Sequence, residues 1–171
     1  MDIDISLVPA GKKHVLRNML ELYFYDCCEF DDEEDSLELN EAGLYGYRYL
    51  DYYWNEDDRY PYIVKVNGNL AGFSLIRTLG HEPLTFSISE FFVMKKYRNI
   101  GIGAAMSTKM FELHKGKWII NTPIKNITAQ HFWRKAAKNA SLGVYDEYLI
   151  DNGRRMEWGF DNSGCCGINA K

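Results

Sequence analysis

The stretch Arg98-Asn99-Ile100-Gly101-Ile102-Gly103 decides the reading of this chain. It follows the apolar run Phe91-Phe92-Val93-Met94 and precedes residues whose apolar members recur at helical spacing. The arrangement predicts a strand that turns through glycines into a helix beginning near Gly101. The first N–H groups of a helix have no partner within it, and the helix dipole adds positive potential there. Gly101 and Gly103 let a ligand approach the backbone without a Cβ in the way. The stretch is therefore an expected anion site, and so compact a turn suits a pyrophosphate.

Upstream, residues 3–8 alternate and predict a first strand, and Val15, Leu16, Met19, Leu20, Leu22 and Tyr23 predict a helix over 12–25. A second, Tyr-rich helix is expected near Glu41 to Tyr53. Tyr62 to Val66, the turn Asn67-Gly68 and Leu70 to Ile76 predict a hairpin, and Thr85 to Val93 the next strand. Downstream, Ile102, Ala105, Met106, Met110 and Leu113 predict a helix that Gly116 would stop. Trp118-Ile119-Ile120 predicts a buried strand, Asn126 to Asn139 a helix, and 145–150 with 155–160 a closing hairpin around Asn152-Gly153. The fold class is α/β (α+β), a mixed sheet with helices on its faces.

The chain has 171 residues, 46% hydrophobic and 26% charged, which suits one domain with a real core, expected over 1–161 with a tail over 162–171. No apolar run reaches the roughly 18–20 residues of a membrane span. The acidic N-terminus lacks signal-peptide regions, so a cytoplasmic protein without membrane contact is expected. Cys27-Cys28 and Cys165-Cys166 lack Cys-x-x-Cys spacing and read as free thiols. The four histidines do not cluster and read as surface residues, so no metal is expected. Net charge is −4, with acid concentrated over Glu29 to Asp35. That run is either a solvated loop or a rim that attracts a cationic substrate, and it argues against nucleic acid as a partner.

A dinucleotide-binding turn needs a third glycine, where this chain has Met106, and a nucleotide phosphate loop needs Gly-Lys-Ser/Thr, which is missing. Residues 98–103 instead match the turn Arg/Gln-x-x-Gly-x-Gly/Ala. With Asn126-x-x-Ala129-x-x-Phe132-Trp133 downstream, the chain resembles the GNAT (N-acetyltransferase) superfamily. Glu90 to Gly103, Lys117-Trp118 and Phe132-Trp133-Arg134 resemble a group of bacterial acetyltransferases of unassigned function.

The resemblance implies the GNAT fold, a mostly antiparallel sheet of six to seven strands with about four helices. It implies acetyl-CoA as co-substrate, with its pyrophosphate on the amides of Asn99, Ile100, Gly101, Ile102, Gly103 and Ala104 beside Arg98. The pantetheine arm would run along Phe92 and Val93, where two parallel strands splay apart. Asn126 would bind the arm or cap its helix, and Phe132 and Trp133 would line the site or belong to the core. The Val93 N–H would stabilise the oxyanion, and Glu90 would be a general base or a structural or substrate-binding carboxylate. Regular alternation sets Glu90 with Ile88 and Phe92, opposite Val93, unless a bulge intervenes.

Trp133 stands where many relatives carry a tyrosine acid. Tyr97, Tyr145 and Tyr148 are the substitutes, or the thiolate leaves unaided. The implied acceptor is a small or peptidyl amine, with a cation as one option, and a homodimer through Trp158 and Phe160 is a further option. The alternative is a non-catalytic acyl-CoA or ligand-binding module.

Overall fold

The computed structural model describes residues 1–30, 37–80 and 84–164. Its core is a seven-stranded sheet in the order β1-β2-β3-β4-β5-β7-β6. The strands are β1 (Ile3–Leu7), β2 (Arg59–Val66), β3 (Asn69–Thr78), β4 (Thr85–Val93), β5 (Lys117–Pro123), β6 (Tyr145–Ile150) and β7 (Arg155–Asp161). Every neighbouring pair is antiparallel except β4 and β5. The helices are α1 (Lys13–Cys27), the short α2 (Tyr52–Asn55), α3 (Ile102–Leu113) and α4 (Ile127–Ala140). The architecture is that of the GNAT fold, as the resemblance implies.

Period-two alternation sorts the sheet's side chains onto two faces. Ile63, Phe73, Leu75 and Phe92 pack against Leu16, Met19 and Leu20 of α1 and Tyr53 of α2. Tyr62, Ile76, Phe86 and Trp118 face the other way, against Met110 and Phe111 of α3 and Trp133 of α4. Fully burying one such side chain contributes about 1.5–3 kcal/mol.

The Tyr-rich segment departs from its expected helix: only Tyr52–Asn55 is helical. Gly43 and Gly46 take φ of 72° and 70°. The Asn40 Oδ1 accepts from the Ala42 and Leu44 amides, and the Glu21 carboxylate accepts from those of Tyr45 and Gly46. These side-chain bonds replace a helical ladder.

Trp158 and Phe160, considered for a dimer contact, lie instead inside the core, 0% and 6% exposed. His114 is also buried, with its Nε2 2.9 Å from the Tyr62 hydroxyl. Asn162, assigned to the tail, is fixed in place. Its Oδ1 accepts from the Gly116 amide at 2.9 Å, and its Nδ2 donates to the Phe111 oxygen at 2.6 Å. Most of the acidic run 29–35, His81 and the pair Cys165-Cys166 lie outside the described residues. Among those described, no helix is long and apolar enough to cross a membrane, and no group of His, Cys, Asp and Glu could hold a metal ion.

Candidate active site

β4 and β5 pair only from Thr85–Lys117 to Ser87–Ile119. Beyond that, β4 stays on β3 and β5 stays on β7, so the two parallel strands diverge. The divergence begins at an irregularity in β4. Leu75 pairs with Glu90 and Ile76 with Ile88, so Ser89 is an extra residue in a β-bulge. The bulge breaks the expected alternation. Ile88 packs with Phe86 and Trp118 on the α3/α4 side, whereas Phe92 joins the α1 cluster and Glu90 lies by Tyr23 and Tyr47.

The end of β4 turns main-chain groups into this gap. The Met94 N–H donates to the Ala71 oxygen, on the β3 side. In an antiparallel ladder the N–H and C=O of one residue project from the same edge, and those of its neighbour from the opposite edge. The Val93 N–H and C=O, and those of Phe91, therefore face away from β3, where β5 has diverged.

The glycine turn follows. Asn99 and Gly101 take φ of 62° and 90°, with Gly101 as N-cap of α3. The first helical bond is Ala105 N–H to Gly101 O, so the amides of Ile102, Gly103 and Ala104 have no intrahelical acceptor. A Cβ on Gly103 would stand 3.2 Å from the Phe132 ring, so this glycine lets α3 approach α4. Arg98 is not a free cation at the turn. Its Nε donates to the Val93 oxygen at 2.8 Å, and its Nη2 pairs with Asp26 on α1. Lys95 joins the same carboxylate at 3.2 Å. Burial acts to raise Asp26, but the hydrogen bonds and charges of Arg98 and Lys95 outweigh it and hold the carboxyl below its usual range.

Two cavities meet at the divergence. The larger, about 740 Å³, runs from the glycine turn past Val93 to α4. Its wall includes Arg98, Asn99, Gly101, Gly103, Ala104 and Phe92. The smaller, about 330 Å³, lies between β4 and β5 and includes Glu90, Asn121 and Arg155. Tyr23, Cys27, Phe91, Asn126 and Trp133 border both. Asn126 caps α4, its Oδ1 accepting from the Ala129 amide at 2.9 Å, and lines the cavities as well. Phe132 and Trp133 pack against Phe91, the first tilted and the second edge-on, with ring centroids 5.4 and 4.8 Å away. Trp133 is buried, so it is both core and cavity wall. Ile100 is exposed and Ile102 is buried beneath the turn, so these two would contribute main chain only.

Burial raises Glu90 to about 7, while the hydroxyls of Tyr23 and Tyr47 and the charge of Arg155 partly oppose the rise. Burial also lifts the Tyr23 phenol well above its ordinary value, with the Glu90 charge adding to the effect. Burial pushes the Cys27 thiol up to about 12, so it is protonated and inert at neutral pH. Tyr97 is buried against α3, and Tyr145 and Tyr148 lie on β6; none of the three borders either cavity. Sequence reasoning missed Tyr23 as a site residue, because its spacing on α1 fits an apolar face. It missed Arg155 because only the placement of β7 beside β5 brings that residue to the gap.

No curated protein matches the sequence. Several solved structures share the fold. An acetyltransferase from Thermus thermophilus is 10% identical with a TM-score of 0.69, over 94% of this chain and 97% of that one. The PaiA N-acetyltransferase from Thermoplasma acidophilum, solved in complex with coenzyme A, is 12% identical with a TM-score of 0.67, over 94% and 99%. The ribosomal-protein-S18-alanine N-acetyltransferase from Escherichia coli is 12% identical with a TM-score of 0.60, over 99% of both chains. Residues 17–137 match the acetyltransferase (GNAT) family, spanning the diverging strands, the glycine turn and α4, and the chain belongs to that family.

Proposed function

We propose that the protein is an N-acetyltransferase that moves an acetyl group from acetyl-CoA to a primary amine by direct attack in a ternary complex. The observation that carries this reading is the meeting of two cavities at the divergence of β4 and β5, one suited to a long phosphorylated ligand and one to a small acceptor. The residues present fit coenzyme A. Unpartnered α3 amides suit a pyrophosphate, and the main chain of Phe91 and Val93 suits an amide-bearing arm. The Asn126 Nδ2 is a further donor toward that arm.

Bound acetyl-CoA would supply an activated acyl group on sulfur. The chain's own residues would do the rest. An amine with a pKa of about 10.4 must lose a proton before it attacks. Glu90, raised to about 7, is a suitable acceptor, directly or through one water. The Val93 N–H, on the free edge of β4, would donate to the negative charge that develops on the acyl oxygen. Tyr23, at the junction of the cavities, is the best-placed hydroxyl to return a proton to sulfur. A thiol of pKa about 8.5 can also leave as thiolate. The protonated Cys27 favours direct transfer over an acyl-cysteine route.

The test has two readouts. Acetyl-CoA should raise the melting temperature, and an amine panel should release coenzyme A with saturation. No stabilisation refutes the reading. Stabilisation without release from any amine points to a binding module, the reading that Trp133 in the usual tyrosine position would favour.

A further inference from the structure

The smaller cavity contains a feature that amine acetylation alone does not require. Arg155 opens β7 at the closing turn of the last hairpin and pairs across the ladder with Pro123 of β5. Its Nε donates to the Asn121 Oδ1 at 2.9 Å, which fixes the plane of the guanidinium. A guanidinium carries five N–H donors. Among the described residues the other four have no hydrogen-bond partner, and no carboxylate lies within 4.0 Å of them. The nearby surface arginines differ. Arg154 pairs with Asp151, and Arg134 with Glu147. Arg155 alone of these three borders the cavity.

Across the same cavity stands Glu90, close enough for the two charges to influence each other but without an ion pair. A half-buried cation and a half-buried carboxyl on opposite walls, not joined, leave a gap that is positive at one end and acidic at the other. Both groups are partly withdrawn from water, which favours a ligand that restores their pairing. Such a ligand has the reverse polarity: an ammonium or amine toward Glu90 and an anionic group toward Arg155. The fork of an arginine fits a carboxylate with two parallel hydrogen bonds. A cavity of about 330 Å³ limits the whole to a small molecule. Phe24, Phe30, Leu37 and Ile120 add apolar wall that would face a side chain, beside the polar Ser89 and Thr122.

From this arrangement we infer that the acceptor is a free amino acid, its carboxylate held by Arg155 and Asn121 and its amine presented between Glu90 and the Val93 N–H. The inference rests on the proposed reading of the smaller cavity as the acceptor site. It makes Arg155 the residue that sets specificity, and it opposes a polycation as substrate, since a guanidinium repels a second ammonium.

The experiment compares standard L-amino acids with their carboxamides, their decarboxylated amines and spermidine. Binding is measured calorimetrically to the protein saturated with coenzyme A, and turnover by thiol release from acetyl-CoA. At least one amino acid should bind about 10- to 100-fold more tightly than its amide and its decarboxylated amine, the worth of a charged hydrogen-bonded pair. Arg155→Gln should erase that preference while leaving stabilisation by acetyl-CoA unchanged, which also confirms that the variant is folded. Arg155→Lys should restore part of it, and Asn121→Ala should weaken it. Equal binding of acid and amide, preference for spermidine, no amino-acid binding at millimolar concentration, or an Arg155→Gln variant that keeps the preference overturns the inference. Acid-selective binding without turnover supports it and refutes the catalytic reading instead.

Discussion

Arg98 donates from Nε to the main-chain oxygen of Val93 at 2.8 Å while its Nη2 pairs with Asp26. One guanidinium thereby joins the end of β4, the glycine turn and the last turns of α1. Its charge is answered within the protein, so its contribution to the site is to hold the Val93 backbone in place. The oxygen it grips and the N–H proposed to stabilise the acyl oxygen project from the same strand edge. Arg98→Ala should therefore lower kcat and raise the KM for acetyl-CoA about tenfold, and Arg98→Lys should restore little, because an ammonium lacks the fork needed for two acceptors. Unchanged steady-state parameters would contradict this role.

Glu90 gives two pH dependences. Its ionised form grows as pH rises through about 7, so kcat/KM should climb with a midpoint near 7 and level off above it. Glu90→Gln should flatten that limb and reduce kcat by about 10²- to 10⁴-fold. Stability runs the other way. The folded pKa lies above the unfolded value of about 4.3, so the stability tied to this group is present below that value and lost as pH rises through about 7. Denaturant titrations should show Glu90→Gln gaining on the parent at about pH 8 and not at about pH 4. A pH-independent difference would show that burial of Glu90 is not coupled to its charge.

Tyr23→Phe removes one of the hydroxyls that hold Glu90 down. The midpoint of the kcat/KM profile should move upward. If Tyr23 also returns the proton to sulfur, kcat falls throughout the pH range, whereas a purely electrostatic role moves only the midpoint. Stopped-flow or steady-state profiles separate the two.

Gly101 takes φ of 90°, a conformation that disfavours any Cβ. Gly101→Ala should cost about 1–2 kcal/mol, or roughly 2–8 °C in a chain of this size. Gly103→Val would press on the Phe132 ring, which a single Cβ would already approach to 3.2 Å. Both variants should lose most of the stabilisation that acetyl-CoA gives the parent, measured by thermal shift.

Asn162 satisfies groups at the end of α3 and the start of β5 through one buried amide. Asn162→Ala would leave the Gly116 amide without its acceptor. A loss of about 2 kcal/mol, or ~4–8 °C, is expected. A variant as stable as the parent by calorimetry would show that water replaces the bond.

The glycine turn and the strand-to-helix order were readable in the sequence because both are local. Positive φ favours glycine, and period-two runs declare strands. Asn126 was readable for the same reason, as a cap with a second role left open. The Tyr-rich segment was not, because the group that unwinds it is Glu21, a side chain of a different helix. Tyr23 was concealed by amphipathicity, since a tyrosine on an apolar helical face looks like core. Arg155 lies 65 residues from Glu90 in sequence, and only the crossover that inserts β7 between β5 and β6 brings the two to one cavity. The bulge at Ser89 reversed the expected partnership of Glu90 with Ile88, because alternation cannot show where one strand gains a residue on its neighbour.

The same bulge marks the point where the sheet opens along its middle and acquires two inner edges, one on β4 and one on β5. β1 and β6 end the sheet on its outside, as any open sheet must end. Past Ser87, β4 is an edge as well, although it lies in the middle of the order. Unpaired strand edges invite pairing with other chains, and proteins commonly blunt them. This one is walled by Tyr23 and Cys27 of α1 on one side and by Phe132 and Trp133 of α4 on the other. A neighbouring protein's strand, with its own flanking structure, would not fit between these helices. A slender, amide-bearing chain could, and the walls thereby turn an aggregation hazard into a filter on molecular width.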